Sequence, residues 1–262
     1  MSRRFITQRS ILNLILAMSA SACSQPGNSD NTAGNVNTNA NTNATNSGND
    51  NGNGNWITLF DGTDTDQWRQ YNSDTFPDRG WQIEDGLLVF RPEPGPEWTS
   101  GRDIITRDTY QDFELQLEWM IEEGGNSGIF YHVLEQPTQA IYWSGLEMQI
   151  LDNDNHPDAD QGVDGNRKAG SLYDLIPAVP QNTRPHGEWN TVRIKSDGSR
   201  VEHWMNGEKI LEFERWTPGW YEMLRNSKFR CHNEFGALQR GHIGLQDHSD
   251  IVKFRNIRIR NL

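Results

Sequence analysis

Cysteine, positive charge and long apolar runs are all scarce in this chain. Cys23 and Cys231 are the only cysteines among 262 residues, so a framework of several disulfides is excluded and the core must hold by packing. Asp and Glu outnumber Lys and Arg by 36 to 24, which gives a net charge of −12. This acidity argues against nucleic acid as a partner. No apolar run reaches the roughly 20 residues of a membrane-spanning helix.

The N-terminus has the order of an export signal. Three arginines precede a short apolar run at residues 11–18, and small residues then lead to Cys23. The sequence Ala20-Ser-Ala-Cys23 resembles a bacterial lipoprotein box, whose cysteine is acylated after cleavage. Residues 1–23 are therefore predicted to be a lipoprotein-type signal peptide with lipidation at Cys23. We expect the protein in the cell envelope, on the periplasmic side or the outer surface, with membrane contact only through the lipid.

Residues 24–55 consist almost entirely of Asn, Gly, Thr and Ser, without aromatic residues. Such a segment buries too little apolar surface to offset its ordering entropy, so a disordered tether is predicted. The remaining residues, 56–262, are long enough for one all-β domain.

Within residues 56–262, short alternating runs are separated by Gly, Pro, Asn and Asp, and no long helical period appears. Tight hairpins are predicted at Asp85-Gly86 and Asn206-Gly207, because these pairs accept the positive φ of such turns. One short helix is predicted after Thr217-Pro218, with Thr217 as its N-cap, Pro218 in its first turn and Trp220 to Asn226 following. Many strands with such turns indicate an all-β sandwich or jelly roll of two antiparallel sheets. The predicted strands are 56–60, 81–84, 87–91, 103–106, 113–120, 127–134, 145–151, 189–196, 200–205, 208–214, 241–246 and 252–260.

The most informative stretch is residues 145–153. Its alternation places Glu147 and Gln149 on one face of a strand, opposite three apolar residues, with Asp152 at the strand's end. A carboxylate beside an amide suits recognition of a polar ligand, and the carboxylate is a possible proton acceptor. The alternative is a half-exposed strand on which Glu147 is merely solvated.

Polar faces on two other segments strengthen the functional interpretation. Residues 126–132 and 241–248 alternate in the same way, and a loop at 167–173 carries two cations and a phenol. If the strands are neighbours, one concave face gathers His132, Glu147, Gln149, Gln246 and His248. Taken singly, a strand histidine is more often structural than catalytic.

All ten tryptophans lie in the predicted domain. Trp143, just before the Glu147 strand, is expected to line the site, because indole rings stack on the apolar faces of sugars. Core packing is expected for Trp68, Trp81, Trp119, Trp189 and Trp204.

An ordered set of motifs across residues 56–262 resembles the 3-keto-disaccharide hydrolase family. The motifs are Asn126-Ser-Gly-Ile-Phe-Tyr-His132, Gly145-x-Glu-x-Gln-Ile-x-Asp-Asn153, Lys168-Ala-Gly-Ser-Leu-Tyr-Asp174, Gly187-Glu-Trp-Asn190, Val201-Glu-His-Trp-Met-Asn-Gly207, Gly241-His-Ile-Gly-Leu-Gln-Asp-His248 and Phe254-Arg-Asn-Ile-Arg258. The resemblance implies a concanavalin A-like jelly roll. It also implies cleavage of glycosides already oxidised to a ketone at C3, by elimination and hydration.

That chemistry needs a base for the C2 proton, a donor at the enolate oxygen and an acid for the leaving group. We expect His132 or Glu147 as the base. Lys168 or a metal is expected at the enolate oxygen, and Tyr173 or His248 as the acid. The expected substrate-binding residues are Gln149, Asp152, Trp143, Gln246 and Arg167.

Three alternatives stay open at this point. A conventional retaining glycosidase is disfavoured, since its second carboxylate position holds Gln149, and a non-catalytic carbohydrate-binding module shares the fold. A divalent cation is possible at His132, Glu147 and His248. The acidic stretch 152–158 fails the EF-hand pattern and is interpreted as a solvated loop. No organic cofactor is expected.

Overall fold

The computed structural model describes residues 55–92 and 102–262. The predicted signal peptide, the predicted lipidation site Cys23 and the predicted tether at 24–55 lie outside these residues, except for Asn55. The described part contains thirteen strands, one α-helix and three 3-10 helices. The strands are β1 (Ile57–Phe60), β2 (Trp68–Gln70), β3 (Trp81–Glu84), β4 (Leu87–Phe90), β5 (Ile104–Thr106), β6 (Phe113–Ile121), β7 (Asn126–Val133), β8 (Leu146–Leu151), β9 (Asn190–Asp197), β10 (Arg200–Met205), β11 (Glu208–Glu214), β12 (His242–Leu245) and β13 (Val252–Asn261). The helices are α1 (Pro218–Arg225) and the 3-10 helices Ile141–Trp143, Pro157–Asp160 and Lys228–Cys231.

Two antiparallel sheets form the jelly-roll sandwich. The eight-stranded sheet has the order β11-β10-β9-β6-β13-β4-β3, and β1 also pairs with β13. The five-stranded sheet has the order β2-β5-β12-β7-β8. The predicted all-β class, with two sheets and one short helix, is confirmed. The sequence interpretation missed β2, which has three residues and too little alternation to recognise.

Local signals correctly located the turns and the helix. Asp85 and Gly86 have φ of 50° and 75°, and Asn206 and Gly207 have φ of 50° and 87°, as their hairpins require. Thr217 caps α1, since its hydroxyl oxygen accepts the Trp220 backbone N–H at 3.1 Å.

The core lies between the sheets. Trp68, Trp119 and Phe254 are among its fully buried members, and each large apolar side chain contributes roughly 1.5–3 kcal/mol by leaving water. Core packing was wrong for Trp189 and Trp204. Trp189 and Trp204 are only half-buried, because each stacks with an arginine on the outer face of the eight-stranded sheet.

In the described ranges, none of the helices combines the length and apolar character required to cross a bilayer.

Candidate active site

Glu147 lies on β8, at one edge of the five-stranded sheet. Leu146 and Met148 pack into the core, so alternation directs Glu147 and Gln149 to the outer face of the sheet, as predicted. Glu147 is nevertheless buried, with 7% of its surface exposed. Its carboxylate lies over Gly128 on β7, where an added Cβ would be 2.2 Å from Oε1. The glycine leaves the room that this carboxylate occupies.

The Gln149 amide lies against the Glu147 carboxylate. In the orientation that satisfies both of its atoms, Nε2 donates to Glu147 Oε1 at 3.2 Å and to Ser127 O at 3.1 Å. The amide of Asn126 lies 3.3 Å away on the other side. Gln149 therefore orients the carboxylate and cannot act as a second acid or base, which argues against retaining hydrolysis on this strand.

The segment 168–176 covers the free edge of β8. Tyr173 N donates to Glu147 O at 3.0 Å, and Gly170 N donates to Gln149 O at 2.8 Å. These bonds satisfy backbone groups that an edge strand leaves open. They also place the Tyr173 side chain within electrostatic range of the Glu147 carboxyl.

An ion network fixes Tyr173. Its hydroxyl donates to Asp158 Oδ2 at 2.8 Å, and Arg167 donates to Asp158 Oδ1 at 2.8 Å and to Asp174. Burial, reinforced by the negative charge of Asp158, raises the pKa of the Tyr173 phenol. The phenolic proton is thus committed to Asp158, and Tyr173 fits a positioning role better than the predicted acid role.

Lys228 supplies a positive charge close to Glu147, and the sequence interpretation missed it. Its Nζ lies 4.0 Å from the Tyr173 ring centroid and 3.7 Å from Asp174 Oδ2. Burial lowers the pKa of Lys228, and the negative charges of Asp174 and Glu147 oppose this change. Lys228 begins the 3-10 helix Lys228–Cys231. No local pattern shows that this short turn, far along the chain from β8, returns to Glu147.

The electrostatics of Glu147 are those of a proton-exchanging group. Burial raises its pKa, the positive charges of Lys228 and His248 lower it, and the negative charges of Asp103 and Asp158 raise it further. A buried carboxyl with a raised pKa is matched to proton transfer near neutral pH.

His248 and Gln246 follow β12 and face the same site. His248 is half-exposed, with Nδ1 3.8 Å from Asp250 Oδ2, and interaction with Asp250 raises the pKa of His248. Gln246 N donates to Gly128 O at 3.0 Å. Its side-chain Oε1 is buried and has no hydrogen-bond partner in the described part of the chain.

Asp103 is a second buried carboxyl near Glu147 that was not singled out from the sequence. Burial raises the pKa of Asp103 to about 7, although its carboxylate accepts the Asp247 backbone N–H at 2.8 Å. The negative charge of Asp103 contributes to the raised pKa of Glu147. It was overlooked because it precedes a three-residue strand without a recognisable polar face.

His132 does not share the face of Glu147, and this prediction was wrong. Between the pairs His242–Val133 and Gly244–Phe130, two residues of β7 oppose one of β12, and His132 has φ of 54°. This β-bulge turns His132 into the interior. The side chain is fully buried, and its Nε2 lies 2.8 Å from Ser196 Oγ on the opposite sheet. Burial lowers the pKa of His132 well below its usual range.

Lys168 and Asp152 also lie elsewhere than expected. Lys168 borders a separate depression of about 220 Å³ together with Asp152 and Gln181. The Asp152 carboxylate accepts the Gly124 N–H at 2.8 Å and the Asn155 amide at 2.8 Å. Burial raises the pKa of Asp152, but these hydrogen bonds outweigh it and lower the pKa. Asp152 therefore stabilises its loop.

Trp143 lies on the Lys228 side of the site. Its ring stacks on His232, with 3.8 Å between centroids and 18° between planes. Burial lowers the pKa of His232, and the charge of Lys228 lowers it further. Trp143 therefore belongs to a wall of the site that is close to this cation.

Within residues 55–92 and 102–262, no three His, Cys, Asp or Glu side chains converge as ligands for a metal ion. The predicted set fails because His132 lies inside the sandwich, whereas Glu147 and His248 lie outside it.

Comparison with known proteins agrees with this architecture. Residues 55–260 match the model of the 3-keto-alpha-glucoside-1,2-lyase-like domain family. A 3-keto-disaccharide hydrolase from Bacteroides thetaiotaomicron is 43% identical over 228 residues, covering 79% of this chain and 78% of that protein.

Two crystal structures of proposed glycosyl hydrolases from Parabacteroides distasonis share the fold. The first has a TM-score of 0.71 at 32% identity and covers 79% of this chain and 94% of its own. The second has a TM-score of 0.60 at 27% identity, and the match covers 79% of this chain and 100% of that one. The chain belongs to the family of the 3-keto-alpha-glucoside-1,2-lyase-like domain.

Proposed function

We propose that this protein cleaves 3-keto-glycosides, with 3-keto-disaccharides as substrates, by removal of the C2 proton, elimination and hydration. The observation that carries the proposal is the buried carboxyl of Glu147, next to the Gln149 amide and within the field of Lys228. Proton transfer needs one such group, whereas retaining hydrolysis on this strand would need a second carboxyl where Gln149 stands. The related Bacteroides enzyme is named for the same substrate class.

Glu147 is the base. A ketone at C3 acidifies the hydrogen on C2, and the Glu147 carboxylate accepts that proton as the C2–H bond breaks. The electron pair moves to the C3 oxygen and forms an enolate. A raised pKa makes the carboxylate a stronger base than an exposed glutamate, which improves proton abstraction from carbon.

Lys228 stabilises the enolate. A positive charge held in a buried site acts on developing negative charge more strongly than it would in water, and one such donor is worth roughly 3–4 kcal/mol. The aromatic ring of Tyr173 and the carboxylate of Asp174 hold the Lys228 ammonium. The network around Asp158 thus contributes to the mechanism by keeping Tyr173 and Asp174 in the positions that hold Lys228.

His248 protonates the leaving group. When the C3 carbonyl reforms, the C1–O bond breaks and a C1–C2 double bond appears, while the departing oxygen takes a proton. His248 is half-exposed, and Asp250 raises its pKa, which favours the protonated form that an acid needs. Water then adds to C1 and a proton returns to C2, which gives net hydrolysis.

The test uses a 3-keto-disaccharide, its unoxidised parent and the ketone deuterated at C2. We expect turnover of the ketone alone, slowed by the deuterium because the C2–H bond breaks in a chemical step. Cleavage of the parent would mean conventional glycosidase chemistry. Binding of the ketone without turnover would mean a carbohydrate-binding module.

A further inference from the structure

The outer face of the eight-stranded sheet carries a trough of about 770 Å³, whereas β8 belongs to the other sheet. It crosses β10, β9, β6, β13 and β1. Neighbouring strands are about 4.8 Å apart, so a trough over five strands is about 19 Å long. That length accommodates several linked sugar residues.

One row of facing residues forms its floor. Trp204 pairs with Arg193, Arg193 with Gln116, Gln116 with Arg258, and Arg258 with Thr58. The row therefore presents an indole, a guanidinium, an amide, a second guanidinium and a hydroxyl. These are groups that hydrogen-bond and stack with saccharides.

Arg258 differs from the neighbouring arginines of β13. Arg255 pairs with Glu118 at 2.7 Å, and Arg260 pairs with Glu114 at 2.6 Å. Arg258 instead donates from Nε and from one terminal nitrogen to the neutral Gln116 amide oxygen, at 3.1 and 2.7 Å. Within the described ranges, no carboxylate lies within ion-pairing distance of Arg258.

Arg193, the other guanidinium of the row, is also weakly neutralised. It lies 3.8 Å from Glu114 Oε1, beyond hydrogen-bonding distance, and Glu114 is already bonded to Arg260. Arg193 and Arg258 lie two strands apart, so their backbones are separated by roughly 10 Å.

The carboxylates that border the trough are occupied by other partners. Glu118 accepts hydrogen bonds from Arg255 at 2.7 Å and Asn256 at 2.6 Å. Asp61 accepts bonds from the Thr63 backbone and hydroxyl at 3.1 and 2.7 Å. The cationic groups of the row thus retain the capacity to bind an anion.

Aromatic rings hold both guanidiniums in place. The Arg193 guanidinium stacks on Trp204 at 3.8 Å, and that of Arg258 on Trp56 at 4.5 Å. Stacking orients the planar fork of arginine, which is suited to bidentate binding of a carboxylate.

We propose that this trough is a second binding site, separate from Glu147, for an acidic oligosaccharide whose uronic-acid carboxylates bind Arg193 and Arg258. Gln116 and Thr58 contact its hydroxyl groups. The site tethers the enzyme to an acidic glycan and does not depend on the reaction at Glu147.

Isothermal titration calorimetry of the full chain with oligogalacturonate, and with a neutral glucan oligomer of equal length, tests the site. We expect oligogalacturonate to bind more tightly than the neutral oligomer, with affinity that falls as salt rises. The double variant Arg193→Gln/Arg258→Gln should lose at least about tenfold in affinity, since each charge-assisted bond contributes more than about 1.4 kcal/mol. Its turnover of the ketone should be unchanged.

Arg200→Gln is the matched control. Arg200 lies on the same face but pairs with Glu212 at 2.6 Å, so its loss should leave affinity unchanged. The proposal is overturned if the oligogalacturonate does not bind, if both oligomers bind equally, or if the double variant, with an unchanged melting temperature, keeps its affinity. A double variant that fails to fold is replaced by Arg258→Lys, which keeps the charge but loses the fork and should bind more weakly.

Discussion

Two glutamates on the two outer faces of the sandwich have pKa values that are shifted in opposite directions. Glu118 on β6 is half-buried and Glu147 on β8 is buried, and burial raises the pKa of each. Hydrogen bonds from Asn256 and Arg255 outweigh burial at Glu118 and lower its pKa. Glu147 has an amide beside it, and the charges of Lys228 and His248 lower its pKa less than burial raises it, so its pKa stays raised. A fully paired carboxylate stabilises the sheet, whereas an incompletely paired one can still accept and donate a proton.

Replacing Glu147 should have the largest effect. Glu147→Gln keeps the shape of the side chain and removes the base, so turnover of a 3-keto-disaccharide should fall about 10²–10⁴-fold. Steady-state rates measure the loss, and circular dichroism checks that the fold is intact. Glu118→Gln is the paired control and should leave turnover unchanged. Equal rates for both variants would remove Glu147 from the mechanism.

Removing the cation near Glu147 should have the next largest effect. Lys228→Met should reduce kcat about 10²–10³-fold by loss of enolate stabilisation. Because the Lys228 charge lowers the pKa of Glu147, its loss should move the acidic limb of the pH–rate profile to higher pH. Lys168→Met, in the separate depression, should change neither quantity. An effect of Lys168→Met alone would restore the sequence-based assignment.

Crowding the Glu147 carboxylate should cost less than removing it. Gly128→Ala places a methyl group 2.2 Å from Oε1 and displaces the carboxylate, and a misplacement of about 1 Å can lower rates about 10²-fold. Gly219→Ala is the control, because its nearest atom to an added Cβ is 3.9 Å away. A rate for Gly128→Ala as high as that of Gly219→Ala would show that the position of Glu147 does not matter.

His132 should act on stability and not on chemistry. His132→Ala leaves the Ser196 hydroxyl without its buried partner, which costs about 1–3 kcal/mol of unfolding free energy. Urea denaturation measures this loss. The rate per folded molecule should stay at the wild-type level, and a variant that folds but has no activity would contradict the interior position of His132.

The outcome at β7 and β8 explains how far the sequence could predict this site. On β8 the period of two is unbroken, so the outward positions of Glu147 and Gln149 followed from alternation. On β7 the same rule failed at His132, because one extra residue in the bulge reverses the face of everything after it. A bulge is set by the partner strand, which the local pattern does not contain.

Residues that reach the site through non-local packing could not be predicted from the sequence. Lys168 was chosen because it precedes Tyr173 in the chain, yet Lys228 occupies the site through a 3-10 helix. The hairpins and α1 were predictable because Asp-Gly, Asn-Gly and Thr-Pro act locally. Contacts between distant segments depend on the completed fold.

Asp103 should give the smallest effect, seen in the pH dependence of stability. Burial raises its folded-state pKa from 3.8 to about 7, so the stability contributed by its protonated form is present below the unfolded pKa and is lost as pH rises through about 7. Asp103→Asn keeps the acceptor for the Asp247 N–H but cannot ionise. Its melting temperature should exceed that of the wild type at about pH 8 by roughly 2–4 °C per kcal/mol gained. The advantage should vanish at about pH 4, where both side chains are largely uncharged. An advantage of the same size at both pH values would mean that ionisation of Asp103 does not oppose folding. Asp103 would then not share with Glu147 a pKa that burial raises.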